Sequence, residues 1–479
     1  MTDNTDHGTT YGPVPPSQPS TTRVLTFLGS PAVKFVLIGL LSFLLLVPSV
    51  FVWVLVEERA HRAKDVAREI ARSWGGTQEI NGPYLVIPFT ETYTTGSGED
   101  FETMTIRRTA VLFPERLTVG GDIAVEERKK SIYTLPVYNA RLDLDGTFAA
   151  TPEDMFEPKH GGTIDVAADK AVVVIGIRDV RALKSEVALA LAGTGAVPFE
   201  PGLGPLARTD REPRRSSGPS GINASVSPQA WQNGFSFDVK LQLNGSTAIY
   251  VAPAGQTTKV AVQSDWAHPG FTGAFLPETR TITSSGFDAA WTIPYLARGI
   301  PKVMETSHLP LQDKLLGVKF VEPVNFYQTI SRSLKYAIGF ISLTFLAVFV
   351  LEMRSGWRFH WIQYALVGLA LIVFYVMLLA FAEHVGYAPA YLIAAGAATL
   401  LNAVYVGTSL KSRLAGLVML AVLGSIFAVL FALMQEQDYA LLIGSVIAFV
   451  ALSITMFVTQ RIDWSGQNRP DLEPAAEAV

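Results

Sequence analysis

The feature that most restricts this chain is a set of uncharged apolar stretches long enough to cross a bilayer. Residues 35–56 (FVLIGLLSFLLLVPSVFVWVLV) carry no charge, and about 20 such residues suffice to span hydrocarbon. Apolar stretches return in quick succession at residues 336–351, 362–381, 390–406, 414–434 and 439–458. Lipid offers no hydrogen-bond partners to the backbone, so each stretch is expected to be a helix. The pattern predicts one anchor (residues 31–56) and a C-terminal bundle of five transmembrane helices (336–460). A cleaved signal peptide is disfavoured for the first stretch, because signal apolar regions run to about 7–15 residues and end in small residues. This one runs into Glu57, Glu58 and Arg59. Pro48 is tolerated in a bilayer, where neighbouring helices satisfy the freed carbonyl.

Composition agrees: 49% of the 479 residues are hydrophobic and 17% charged, too apolar for one soluble body of this size. The formal net charge of -4 leaves no basic excess to neutralise a phosphate backbone, which excludes nucleic acid as an expected partner. Cysteine is absent, removing disulfide frameworks, thiolate nucleophiles and Cys-ligated zinc.

Residues 1–30, rich in Thr, Pro, Ser and Gly, are expected to form a disordered cytoplasmic tail. Residues 57–81 are expected to form a juxtamembrane amphipathic helix, with Val66, Ile70 and Trp74 on one face and Arg59, Arg62, Arg68 and Arg72 among the polar positions. Those cations read as a solvated face paired with Glu57, Glu58, Asp65 and Glu69, or as an attraction to anionic headgroups. From 82 to 335 the chain shows short β-branched and aromatic runs broken by Gly, Pro, Asn and Asp, predicting a mostly β, antiparallel, sandwich-like domain. Alternation is clean in Phe235, Phe237, Val239, Leu241 and Leu243, one face inward and one outward. The polar, aperiodic stretch at 208–225 predicts a long loop, with a subdomain junction at 206–228. The fold class is therefore an α+β membrane protein.

Lys and Arg in the short loops set the orientation. Arg354, Arg358, Lys411, Arg413, Arg461 and Arg469 fall on one side, and residues 382–389 and 435–438 on the other carry no Lys or Arg. By the positive-inside rule both termini, including the tail at 461–479, are cytoplasmic and the β domain lies outside. The arginines just after the first span oppose this, but long domains translocate largely regardless of charge.

Chemical signatures are sparse. The sequence has no GxxxxGK[ST], HExxH, GxSxG or EF-hand loop, and its seven histidines are dispersed without metal-ligand spacing. No catalytic residue, metal site or cofactor is expected. The spans lack charges away from their ends, leaving Asn402 as the main buried polar side chain, which disfavours a transporter. The run Ala394-Ala395-Gly396-Ala397-Ala398 suits close helix approach. In the β domain, Asp265, Trp266, His268 and Phe271 are candidate binding residues, as an aromatic-walled cleft with two polar contacts. The alternatives are a turn whose aromatics fill the core, or a local Ser264-Asp265-His268 arrangement, which rarely has triad geometry.

Glu69-Ile70, Ser73-Trp74-Gly75, Gly82-Pro83, Asp265-Trp266 and His268-Pro269, in that order and spacing, make the chain resemble, over nearly its whole length after the tail, the inner-membrane CreD family, called cell envelope integrity proteins. The resemblance rests on Glu69-Ile70, Ser73-Trp74-Gly75, Gln78, Gly82-Pro83, Phe113-Pro114-Glu115 and Asn244-Gly245-Ser246. It continues through Asp265-Trp266, His268-Pro269, Phe271-Thr272-Gly273, Gly286-Phe287, Trp291, Glu322-Pro323, Arg332, Lys335-Tyr336 and Glu352. Phe113 and Ser131 stand where Leu and Gly would be expected. The resemblance implies one anchor, a periplasmic domain, a C-terminal bundle, expression tied to a two-component regulon, and a role in envelope integrity and stress response. It implies no reaction and no catalytic residues. The expected function is thus a non-enzymatic protein of the bacterial inner membrane that contacts the lipid bilayer and an envelope protein or a wall or lipid component. A periplasmic enzyme acting on a wall or carbohydrate component is the alternative, and a transporter is less favoured.

Overall fold

The structure, a computed structural model, describes residues 31–96, 101–192, 195–206, 220–305, 310–321, 326–355, 359–435 and 440–460. The tails expected at 1–30 and 461–479, and residues 207–219 of the expected loop, lie outside the described residues. The chain divides into a helical unit, drawn from residues up to 61 and from 325 onward, and a β unit spanning 62–324.

The helical unit begins with α1 (Pro31–Leu44) and α2 (Leu46–Trp74). They are separated at Leu45, three residues before Pro48, whose missing N–H and ring clash free the carbonyl of Leu44. Helix α2 runs without interruption from the apolar segment through the amphipathic one. It ends against Gly75, whose φ of +103° stops the helix as its N–H bonds to the Ala71 carbonyl at 2.9 Å.

The β unit follows. Its strands are β1 (Gln78–Thr95), β2 (Glu102–Leu112), β3 (Arg116–Lys130), β4 (Tyr133–Phe148), β5 (Thr163–Val166), β6 (Val172–Ile177), β7 (Ala188–Leu191), β8 (Gly195–Pro198), β9 (Glu200–Pro201) and β10 (Gly221–Ser225). After the short helix α3 (Pro228–Asn233) come β11 (Phe235–Ser246), β12 (Ala248–Val251), β13 (Thr257–Ser264), β14 (Pro269–Gly273), β15 (Thr279–Thr283) and β16 (Gly286–Ile293). Helix α4 (Tyr295–Arg298), β17 (Val303–Met304) and β18 (Leu316–Phe320) close the unit.

These strands form two sheets. One has the order β14-β18-β12-β1-β6-β10-β9, with β2, β5 and β17 added along β1 and β2, and the other runs β15-β16-β13-β3-β4-β11-β7-β8. Their inner faces share one core, in which Ile80, Val174 and Ile249 of the first sheet and Val119, Leu142, Val239 and Leu241 of the second are all buried. This is the expected sandwich. Pairing is antiparallel apart from β1 with β12 and β3 with β13, which are parallel. Each parallel partner is more than a hundred residues away, and long crossovers of that kind permit parallel pairing where a tight hairpin does not.

Two expected boundaries shift. Residues 78–81 are already strand β1 rather than stalk. Within the expected junction at 206–228, Gly221–Ser225 is a strand paired with β6 and β9. Its sequence lacks alternation, and the close fit decides: a Cβ at Gly221 would lie 2.5 Å from the Ile175 carbonyl oxygen.

The helical unit resumes at α5 (Phe326–Lys335), within the stretch expected to be β-rich, and continues as α6 (Ala337–Ser355), α7 (Trp361–Val385), α8 (Tyr387–Ser409), α9 (Arg413–Gln435) and α10 (Ala440–Thr459). Among the described residues, Val33–Trp74, Ala337–Arg354, Trp361–Val385, Tyr387–Ser409 and Arg413–Gln435 are long and apolar enough to cross a membrane. Helix α10 adds a further 20 residues. Helices α8 and α9 approach closely at Gly407, where a Cβ would lie 3.1 Å from Gly416 Cα. Gly396, in the alanine run, has open space instead. A second notch is Gly368 on α7, where a Cβ would meet Leu45 Cδ1 at 2.3 Å and Phe345 Cζ at 2.7 Å. The break in the first span is seated there.

Candidate functional site

Strand β13 belongs to one sheet and β14 to the other, so residues 265–268 form the crossover between them. Asp265 is exposed, and its Oδ1 accepts the Val125 N–H of β3 at 2.8 Å. The Trp266 amide donates to Ser264 Oγ at 3.3 Å and its indole Nε1 to the Val321 carbonyl at 3.3 Å. Val321 N–H in turn bonds the His268 carbonyl at 3.3 Å. Trp266 and His268 meet edge to face, with ring centroids 6.4 Å apart. Phe271 packs edge to face on Phe287 and Trp291, at 5.6 and 5.9 Å. The structure therefore brings Trp266 and His268 together. It turns Asp265 to β3 and Phe271 toward the core. Ser264 Oγ accepts from a backbone amide, and this geometry contains no proton relay from Ser264 through His268 to Asp265.

A second cluster gathers charges that local sequence did not single out. Glu91 lies on β1 with 0% exposure, and the register places Phe89 opposite Arg108 of β2. Arg108 Nη1 donates to Glu91 Oε2 at 2.6 Å, while its Nε and Nη2 donate to Glu305 Oε2. Lys159 Nζ lies 2.8 Å from the same Glu305 oxygen. The His160 N–H donates to Glu91 Oε1 at 2.6 Å, and His160 Nδ1 lies 3.4 Å from Oε2. The guanidinium sits 4.8 Å above the Phe89 ring, and the Tyr93 ring stacks on His160 at 4.4 Å.

Burial pushes the Glu91 carboxyl up, but the His160 and Arg108 hydrogen bonds and the Arg108 charge outweigh it and hold the group below its ordinary value. Glu305 is likewise held low: burial opposes, and Arg108 and Lys159 prevail. Two carboxylates facing two cations make a balanced, hydrogen-bonded network, as buried charges require. It ties the loop around residues 157–160 and the segment at Glu305 to the β1–β2 pair. Its groups are already partnered with one another, and among the described residues no group of three or more His, Asp or Glu could hold a metal ion. The available signal is the alternation of Phe89, Glu91 and Tyr93 within the stretch expected to be β-rich.

An open cleft of ≈ 500 Å³ lies at the end of the second sheet, lined by residues including Glu115, Phe148, Asn233, Phe235 and Ser236. It holds one carboxylate and no cation or imidazole.

Among the described residues of the helical unit, charges lie toward the ends of the apolar spans. Glu352, at 5% exposure, pairs with Lys34 and accepts from the Phe359 N–H at 2.9 Å and the Tyr364 hydroxyl at 2.8 Å. Lys34 also donates to the Phe359 carbonyl at 2.8 Å. Glu383 accepts from the Tyr327 hydroxyl at 3.1 Å and lies 3.6 Å from Arg59. Asn402 is buried and returns its amide to the Ala398 carbonyl at 2.9 Å. Lys34 and Glu352 stand 318 residues apart, beyond any local pattern.

Fold and site together define a multi-pass membrane protein with a large β sandwich between its first apolar helix and the rest. The family model for inner membrane protein CreD matches residues 30–465, and the chain belongs to that family. It is 32% identical over 441 residues to inner membrane protein CreD of Escherichia coli (strain K12), covering 91% of this chain and 94% of that protein. The chain is accordingly an inner-membrane protein with several apolar, membrane-spanning helices.

Proposed function

We propose that the chain supports envelope integrity under stress as a non-catalytic protein, with both termini in the cytoplasm and the β unit binding a periplasmic protein or a wall or lipid component. The observation that carries this reading is the insertion of a whole sandwich between membrane helices in a chain of the CreD family. The orientation is supported by Arg354, Arg358, Lys411, Arg413, Arg461 and Arg469, all on one side of the span order. The absence of catalysis is supported by the Glu91–Arg108–Glu305 charges, which pair with one another. The nominated contact region is the crossover carrying Asp265, Trp266, His268 and Phe271, where His268 is exposed beside Trp266.

The test is site-specific photocrosslinking from position 268 of the full chain in cells under envelope stress. A discrete envelope product, lost on W266A, supports the reading, and no product above that from an unrelated exposed position counts against it. Protease added to spheroplasts should cleave within the β unit. Protection would overturn the orientation.

A further inference from the structure

The helical unit is also broken between α5 and α6. The ladder is interrupted at Tyr336, and the Ser333 carbonyl accepts from Tyr336 N–H at 3.1 Å and from the Tyr375 hydroxyl at 3.3 Å. Tyr375 lies ten residues before Val385, the last residue of α7, hence about 15 Å along the helix from its end at 1.5 Å per residue. A broken helix at that depth is tolerated where protein groups or a polar cavity satisfy the freed backbone, and such breaks mark binding sites in membrane bundles.

Three further groups converge beside the break. The Tyr391 hydroxyl donates to the Phe427 carbonyl at 2.7 Å. Arg332, on α5, donates from Nη2 to the Met434 carbonyl at 3.3 Å, at the carbonyl end of α9 where a cation is favoured. Tyr387, at the start of α8, stacks on Phe431 with centroids 6.3 Å apart and lies within electrostatic reach of Arg332, Tyr375 and Tyr391. Its hydroxyl is buried with no hydrogen-bond partner among the described residues.

Among the described residues the charges there do not balance. Glu383 is taken by Tyr327 and Arg59, whereas Arg332 forms no ion pair among the described residues and uses one donor on a neutral carbonyl. A guanidinium carries five N–H donors and no acceptor. A partner that satisfies both a phenol and a guanidinium left without a counter-group among the described residues is an oxyanion, and phosphate is the oxyanion whose geometry arginine matches.

We propose that Arg332 and Tyr387, beside the helix break at Tyr336, form an oxyanion site that takes a phosphate group. The group reaches it from the headgroup of an anionic lipid or from free phosphate. Basic pockets between membrane helices hold lipid headgroups by the same physics.

The purified full-length protein in neutral detergent is titrated separately with phosphatidylglycerol, phosphatidylcholine and inorganic phosphate, following Tm and, by native mass spectrometry, bound lipid. Phosphatidylglycerol is expected to raise Tm and remain bound, with phosphatidylcholine weaker. R332Q weakens the binding by roughly tenfold or more and Y387F by roughly threefold or more, the range for lost charged and neutral hydrogen bonds. Because Y387F removes a hydroxyl that has no partner, its ligand-free Tm should not fall, which separates lost binding from misfolding. Inorganic phosphate protecting with the same dependence on both variants supports the site and makes free phosphate its source. No stabilisation by any of the three ligands, or wild-type affinity in either variant, overturns the proposal.

Discussion

Arg108 Nη1 donates to Glu91 Oε2 across 2.6 Å, joining the fully buried carboxylate to the second strand of the β unit. The same guanidinium reaches Glu305, 197 residues further on. One arginine thus ties the hairpin partner of β1 to the end of the domain, and the consequence is measurable. E91A takes from Arg108 its buried partner and from His160 N–H its acceptor. E305A removes a carboxylate whose side chain is 25% exposed. The full chain should therefore lose more Tm with E91A than with E305A. The effect has a pH signature whose sign follows from linkage. Both carboxyls are held below their ordinary 4.5 in the folded protein, so the stability they contribute is complete above that value and is lost as pH falls through the folded-state value. Tm followed against pH should show this loss on the acid side in the wild type and a shallower one in E91Q, with no difference in slope at neutral pH.

Gly245 faces Tyr138 across the β4–β11 pair. A Cβ there would lie 2.2 Å from the tyrosine Cζ. The ring cannot move freely, because its hydroxyl is buried and donates to the Ala248 carbonyl at 2.8 Å. G245A should destabilise the β unit by about 1–3 kcal/mol, the range for overpacking a filled core, and thermal unfolding of the purified chain checks it.

Glu352 holds three donors from separate positions: Lys34, the Phe359 amide and the Tyr364 hydroxyl. E352A leaves them without their acceptor and should cost about 3–5 kcal/mol, the range for breaking a buried pair. K34A should cost less, since the Lys34 side chain is 29% exposed. A double-mutant cycle in detergent measures the coupling, and additive effects would mean that the pair does not couple.

Asp265 is predicted to act as a main-chain acceptor. D265A should cost about 1 kcal/mol, the worth of one such bond. D265N should restore most of it, because an amide oxygen can accept from Val125 N–H as the carboxylate does. Equal loss in both variants would show that the charge matters beyond that bond.

The extent to which residues reveal their surroundings differs from element to element. The alternation of Phe237, Val239, Leu241 and Leu243 announces β11, and all four are buried. Strand β3 gives little local signal in its second half, where Glu126 to Lys130 are charged and solvent-facing, and it is held in the ladder by fifteen residues of register with β4. Strand β10 has no periodic signal and exists because β6 and β9 flank it. Among the candidate contact residues, Trp266 and His268 are neighbours in sequence and in space, whereas the partner of Asp265 lies 140 residues away.

By itself, the sequence determined that this chain enters a bilayer with several apolar helices, and that a β-rich body separates the first from the rest. Hydrophobic length and period are properties of a few consecutive residues and need no partner to be expressed. Only the tertiary structure decided which charges meet. The Glu91–Arg108–Glu305 network, the Lys34–Glu352 pair and Tyr387, without a hydrogen-bond partner among the described residues, depend on contacts between distant segments, whose energies are set by burial and geometry at the point of contact.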